Sequence, residues 1–157
     1  MNAADVVAAA LAAHVTVGTA ESLTAGQVSA ALADVPGASG TLRGGIVAYA
    51  NAVKRDVLGV DAALLESAGS VDPDVAVQMA EGARRVLGVD AAVSTTGVAG
   101  PAPHDGQPVG TVFIAVATAG GTEVRRFGFP GGRESVRAAS CGAALELLGA
   151  AILREQM

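Results

Sequence analysis

The sequence is poor in aromatic and charged residues. Aromatic side chains make up 3% of the 157 residues, tryptophan is absent, and only 16% of the residues are charged. Hydrophobic residues reach 51%, and this balance excludes an intrinsically disordered chain, which combines low hydrophobicity with high net charge. The length predicts one domain, covering residues 1–157, with a core built from Ala, Val, Leu and Ile.

The sequence also lacks the features of proteins that bind nucleic acids or membranes. A nucleic-acid-binding protein usually carries a basic stripe and stacking aromatic residues, whereas this chain has a net charge of −5. No run approaches the roughly 18 consecutive apolar residues of a membrane-spanning helix, and no basic segment near the start marks a secretory signal. We therefore expect a cytoplasmic protein that binds neither nucleic acid nor membranes.

One cysteine and two histidines limit the chemistry that is available. Cys141 cannot form an internal disulfide, which fits a reducing cytoplasm, and its Ala-rich surroundings favour a small buried side chain over a reactive thiol. His14 and His104 lie far apart in the sequence, without Cys or paired acidic residues at ligand spacing. Neither a metal site nor a Ser-His-Asp triad is predicted, and no cofactor is expected.

Helical and strand-like segments alternate along the chain, a pattern typical of α/β proteins. A capping box, with Thr24 as N-cap and Gln27 three residues later, is predicted to open the second helix. The expected fold is a three-layer α/β/α sandwich around a mixed, mostly parallel five-stranded sheet. The predicted helices cover residues 3–13, 24–34, 52–58, 62–66, 73–87 and 133–153, and the predicted strands cover residues 15–20, 44–49, 91–96, 111–118 and 122–129.

Nearly all the basic residues of the sequence are arginines. The chain has nine arginines but one lysine, Lys54, and its single tyrosine, Tyr49, lies five residues earlier. Arginine keeps its proton at any working pH, so a position that alternates between ammonium and amine requires lysine. Lys54 is therefore a candidate for proton transfer, although chance and coding bias explain a lone lysine equally well at this point.

A serine is predicted to lie at the same edge of the sheet as these two residues. Ser22 follows the first strand, and open α/β sheets bind ligands beyond the carboxyl ends of their parallel strands. A desolvated Lys54, or a Tyr49 phenol beside an ammonium group, could accept the serine proton. Taken separately, Ser22 could be a helix cap, and Tyr49 and Lys54 are explained more simply as an exposed strand-end aromatic and a solvated charge.

Several segments together resemble the CinA C-terminal domain family, whose stand-alone members include nicotinamide-nucleotide amidohydrolases. They are residues 19–26 (TAESLTAG), 44–54 (GGIVAYANAVK), 96–101 (TGVAGP) and 108–112 (PVGTV), followed by Gly132-Arg133 and Arg137. The resemblance extends from about residue 5 to residue 155. It implies an α/β/α sandwich that deamidates nicotinamide mononucleotide to nicotinic acid mononucleotide and ammonia, with Ser22, Tyr49 and Lys54 as its catalytic residues.

The resemblance also implies how the small-molecule nucleotide is bound. Arg133, at the start of the last helix, and the loop 97–101 are expected to hold the phosphate or ribose. A homodimer is expected as well. The full predicted set of substrate-binding residues is Glu21, Thr24, Gly26, Thr96, Gly97, Gly100, Arg133 and Arg137.

Two positions depart from the family pattern. Ala25 stands where the family often has glycine, and Gln107 stands where a basic residue often precedes Pro-Val-Gly. These departures leave two alternatives open. One is a catalytically silent nucleotide-binding or protein-interaction module of the same fold, and the other is an amidase acting on a non-nucleotide amide.

Overall fold

The computed structural model describes residues 1–157, which form a five-stranded sheet with helices on both faces. The strand order is β2-β1-β3-β4-β5. In chain order the elements are α1 (Ala3–Ala13), β1 (Val17–Glu21), α2 (Gln27–Ala33), a short 3₁₀ turn (Ala38–Gly40), β2 (Leu42–Val47), α3 (Asn51–Asp56), α4 (Ala62–Ala68), α5 (Pro73–Leu87), β3 (Ala91–Gly97), β4 (Thr111–Thr118), β5 (Gly121–Gly128) and α6 (Arg133–Glu155).

The strand directions confirm the mixed, mostly parallel sheet. Strand β1 pairs in parallel with β2 and with β3, while β4 runs antiparallel to both β3 and β5. Four strands therefore point one way and only β4 points the other. Strands β1, β3 and β4 are buried almost throughout, which explains why their sequences lack the strict alternation of polar and apolar residues found in half-exposed strands.

The two faces of the sheet are covered by different helices. Helices α1, α2 and α6 share one side, where a core of 21 buried residues includes Val28, Ile114 and Leu148. Helix α5 packs on the other side, with Met79 and Ala83 in a second core cluster. This arrangement confirms the expected α/β/α layers.

Helix α6 is long and apolar enough to cross a membrane by length and composition alone. Its apolar side chains are already used inside the protein, because Leu145, Leu148 and Ile152 belong to the core shared with α1 and the sheet. Helix α6 is therefore a core helix of the fold.

The start of α2 differs from the capping box that the sequence predicts. The N-cap is Gly26, with a φ of 100°, and as a glycine it offers no side chain to accept hydrogen bonds from the helix amides. Thr24 instead donates its hydroxyl to Glu21, 2.8 Å away. The capping-box prediction is wrong because the Glu21 carboxylate accepts from the Val28 and Ser29 amides and so takes over the function of the cap.

Candidate active site

The segments that follow three parallel strands meet at one edge of the sheet. Strand β1 ends at Glu21, β2 at Val47 and β3 at Gly97. Ser22 lies immediately after β1, and Lys54 lies on α3, just after β2. The parallel pairing therefore brings a serine hydroxyl and the only lysine of the chain to the same place.

The Lys54 ammonium is bound by three oxygen atoms of the protein. Its Nζ donates to the Ser22 Oγ at 2.9 Å, to the Ala48 carbonyl at 2.9 Å and to the Tyr49 carbonyl at 3.0 Å. An ammonium has three N–H donors, so each donor has one acceptor. With 1% of its surface exposed, Lys54 is among the most completely buried large side chains of the chain.

Burial without a counter-ion changes the acidity of this lysine. Lys54 takes part in none of the ion pairs of the structure, and desolvation lowers its pKa from the ordinary 10.5 to about 8, while the more distant charge of Asp105 acts in the opposite direction. At pH 7 about a tenth of the molecules then carry the free amine, compared with about 0.03% for a solvated lysine.

The two carbonyl acceptors also determine the direction of the free amine. A neutral amine retains two N–H donors, which the carbonyls of Ala48 and Tyr49 accept at 2.9 and 3.0 Å. The remaining tetrahedral position, now a lone pair, then points at the Ser22 Oγ. The geometry thus suits proton transfer from Ser22 directly to Lys54.

The side chain of Tyr49 lies elsewhere than the predicted proton relay requires. The phenol is 56% exposed, and its oxygen accepts a hydrogen bond of 2.9 Å from Arg133 Nη2. It bonds neither Ser22 nor Lys54. Tyr49 contributes to the serine–lysine pair through its backbone carbonyl, and the phenol and Arg133 form a bridge at the mouth of the site.

A cleft of about 360 Å³ opens beside Ser22. The predicted residues Gly97, Gly100 and Arg133 line it, and Arg133 also donates to the Gly100 carbonyl at 2.6 Å. Gln107 does not line the cleft, so this departure from the family pattern lies outside the site. The complete lining is Ser22, Leu23, Tyr49, Ser70, Gly97, Val98, Ala99, Gly100, Pro101, Ala102, Pro103, His104 and Arg133.

Asp105 and Ser70, which no sequence motif pointed to, anchor the loop over the cleft. Asp105 accepts from both the backbone amide and the hydroxyl of Ser70, each at 2.8 Å. Thr96 donates its hydroxyl to the Ser70 carbonyl at 2.7 Å. Asp105 and Ser70 lie 35 residues apart in the sequence, and no local pattern indicates that they meet.

Five residues predicted to bind substrate do not line the cleft. Thr96 is 1% exposed, and its hydroxyl donates to the Ser70 carbonyl. Glu21, Thr24 and Gly26 are engaged with one another behind Ser22. Arg137 donates to backbone carbonyls of the turn that carries Ser22. In this structure these residues therefore support the Ser22 turn and the cleft loop from behind, and their side chains do not line the cleft.

Glu21 is the centre of a buried hydrogen-bond network. Its carboxylate is 1% exposed and accepts from the backbone amides of Gly26, Val28 and Ser29 at 2.9–3.2 Å. The hydroxyls of Thr19, Thr24 and Ser29 donate to the same carboxylate. Glu21 thus ties the end of β1 to the start of α2 and fixes the turn between them.

The fold and the site together define a class of protein: an α/β/α domain with a buried serine–lysine pair beneath a glycine-rich loop. The model of the CinA C-terminal domain matches residues 2–152. The chain belongs to the CinA C-terminal domain family.

Relatives and solved structures agree with this assignment. A CinA-like protein of Mycolicibacterium gilvum is 47% identical over 150 residues, which are 94% of this chain and 35% of that protein. The chain spans about a third of the length of the curated relatives it matches. The competence/damage inducible protein CihA from Agrobacterium tumefaciens has a TM-score of 0.91 at 35% identity, covering 94% of this chain and 92% of its own. A CinA superfamily protein from Klebsiella pneumoniae has a TM-score of 0.93 at 32% identity, covering 97% and 96%.

Proposed function

We propose that the protein is an amidohydrolase that converts nicotinamide mononucleotide to nicotinic acid mononucleotide and ammonia, with Ser22 as nucleophile and Lys54 as base. The observation that carries the proposal is the 2.9 Å hydrogen bond between a buried, unpaired lysine and a serine hydroxyl in a cleft. A lysine buried without a carboxylate partner is costly to the fold. Such a cost is typical of a functional site.

In the first step Ser22 attacks the carboxamide carbon. Its hydroxyl proton passes to the Lys54 amine, the Oγ–C bond forms, and the carboxamide oxygen becomes an oxyanion. The backbone amides of Leu23 and Thr24 bond no acceptor within the protein, and we assign them as the oxyanion donors. One such donor contributes roughly 10²–10³-fold to turnover.

The second half of the reaction restores the enzyme. The C–N bond breaks as Lys54 returns the proton to the leaving nitrogen, and ammonia departs from a seryl ester. Water then attacks the ester, giving its proton to Lys54, and Ser22 leaves with that proton restored. The sum is one amide and one water converted to one acid and one ammonia.

The mouth of the cleft supports an anionic nucleotide as the substrate. Arg133 uses two N–H groups on Tyr49 and Gly100, and a guanidinium has five. The amides at the start of α6 have no side-chain cap, and a helix N-terminus attracts phosphate. The identity of the nucleotide itself follows from the family resemblance. Its pyridinium ring withdraws electrons and makes the carboxamide carbon a better electrophile than that of free nicotinamide.

The test is ammonia release from nicotinamide mononucleotide by the purified protein in chelator-containing buffer. We expect turnover by the wild type, with a rate that rises with pH through about 8, and loss of at least a hundredfold in Ser22→Ala and in Lys54→Arg. Lys54→Arg keeps the positive charge but cannot supply an amine. Normal turnover in Ser22→Ala would contradict the nucleophile assignment.

Two other results would favour the alternatives. Binding of the nucleotide by folded protein, without ammonia, would indicate a silent binding module. Hydrolysis of free nicotinamide but not of its nucleotide would indicate an amidase for a non-nucleotide amide, and the role of Arg133 would then be wrong.

A further inference from the structure

The turn between β1 and α2 is held from outside by an arginine of the last helix. Arg137 is half-buried, and its Nε donates to the Leu23 carbonyl at 2.8 Å, while its Nη2 makes a longer contact of 3.4 Å with the Thr24 carbonyl. These two carbonyls are consecutive along the chain and directly follow Ser22. The guanidinium therefore holds the backbone of the turn that carries Ser22 and makes no hydrogen bond to Ser22 itself.

Because the peptide is planar, a hydrogen bond that holds a carbonyl also fixes the direction of the neighbouring N–H group of the turn. In a trans peptide the carbonyl of one residue and the N–H of the next point in opposite directions. The Leu23 carbonyl points at Arg137, so the Thr24 N–H points away from it. The Ser22 carbonyl accepts from the Ala25 amide at 3.1 Å, so the direction of the Leu23 N–H is fixed in the same way.

The same turn is fixed on its other side by Glu21. That carboxylate accepts from the amides of Gly26 and Val28, which holds the end of the turn against the start of α2. The amides from Ala25 to Ser29 are thus committed to protein acceptors, whereas those of Leu23 and Thr24 have none. The two free amides are those of the residues that directly follow the nucleophile.

We propose that Arg137 is a positioning residue that orients the Leu23–Thr24 peptide so that its free N–H stabilises the oxyanion formed when Ser22 attacks. The inference rests on the proposed function and replaces the substrate-binding role expected for Arg137. Its guanidinium suits the task, since its planar fork of donors reaches two neighbouring carbonyls at once. Helix α6 supplies a rigid base, because Val136 and Ser140 beside it are fully buried.

This role predicts which kinetic constant changes. An oxyanion donor acts on charge that develops only in the transition state, so loosening it lowers kcat and leaves KM nearly unchanged. Removing a donor outright costs roughly 10²–10³-fold. A donor that is present but loosely oriented should cost less, and we expect a decrease of about ten- to a hundredfold in kcat for Arg137→Ala.

The experiment compares Arg137→Ala with Arg154→Ala, which removes another arginine from the same helix at an exposed pair with Glu123. Ammonia release is measured against nucleotide concentration and pH, and each variant is checked by thermal unfolding. Arg137→Ala should lose kcat, hold KM within about threefold, and keep the wild-type pH profile. Millimolar guanidinium chloride, but not sodium chloride, should restore part of its rate. Arg137→Lys should fall between the alanine variant and the wild type.

Each other outcome overturns the inference in a recognisable way. An increase in KM at constant kcat would make Arg137 a substrate-binding residue, as the family resemblance implies. A decrease in kcat without rescue, together with a lower unfolding temperature than Arg154→Ala, would reduce its role to structural support. An inactive wild type would refute the proposed function, and the inference would fall with it, whereas an active wild type with an unaffected Arg137→Ala would refute the inference alone.

Discussion

Replacing Lys54 by Met should remove a pH dependence from the stability of the protein. In the folded state the pKa of Lys54 is lowered from 10.5 to about 8, so between these values the unfolded chain binds more protons than the folded one. The free energy of unfolding of the wild type must therefore rise with pH across that window. Below about pH 8 the full cost of burying the ammonium applies, about 3 kcal/mol.

The expected magnitude follows from those two pKa values. From pH 7 to pH 9.5, single-site linkage gives a gain of about 2 kcal/mol in the unfolding free energy of the wild type from Lys54 alone. Lys54→Met lacks this contribution. The variant also loses the hydrogen bonds to Ala48 and Tyr49, but that cost is independent of pH and cancels when the two pH values are compared.

Urea unfolding followed by far-ultraviolet circular dichroism measures the effect, because the chain has no tryptophan. The stability difference between the wild type and Lys54→Met should change by about 2 kcal/mol between the two pH values. Arg55→Met is the matched control, since it removes an exposed cation from the adjacent position that stays charged over the whole range. An identical pH dependence in the wild type and Lys54→Met would show that Lys54 titrates normally in the folded protein, and the proposed base would lose its physical basis.

Two further predictions concern the turn that carries Ser22. Glu21→Gln should lower the unfolding free energy by about 3 kcal/mol, because an amide nitrogen would face N–H and O–H donors that now bond a carboxylate. Urea unfolding measures this loss, with Glu134→Gln as an exposed control. If Glu21→Gln were as stable as the wild type, the hydrogen-bond network around Glu21 would not stabilise the turn. Ala25→Gly should raise the unfolding free energy by up to about 1 kcal/mol and keep the ammonia-releasing activity, because Ala25 has a φ of 47°, which favours glycine. Ala30→Gly, in the exposed interior of α2, should act in the opposite direction, and a destabilised Ala25→Gly would refute the strain at residue 25.

The order of helices and strands was predictable because it depends on short-range signals. Pro73 at the first turn and Gly88 after the last one mark α5, and the connection between β4 and β5 is a tight glycine turn. The start of α2 was not predictable in the same way. A local Thr–Gln pattern indicated a cap at Thr24, but a buried carboxylate on the preceding strand competes for the same amides, and its burial depends on the packing of the whole sheet.

The chemistry of the site was partly predictable because the chain has so few residues capable of it. The single lysine and the serine after β1 were both found from composition and topology. The direction of each side chain was not, as neighbouring threonines of β3 show. Thr95 bonds Thr24 at 2.7 Å and Thr96 bonds Ser70 on the opposite face. In a strand buried on both faces, nothing in the residue types says which threonine points to which face, or that neither of them lines the cleft.

Lys54 connects the stability of the fold with the proposed chemistry, and this connection can be checked by comparing the pH dependence of the two. Burial that lowers its pKa to about 8 makes the folded protein less stable at neutral pH and at the same time supplies the free amine beside Ser22. If one group causes both effects, the pH at which kcat/KM for ammonia release reaches half its plateau must agree with the pH above which the stability difference begins to change, because both quantities report the free enzyme. Two different midpoints would show that another group controls the rate.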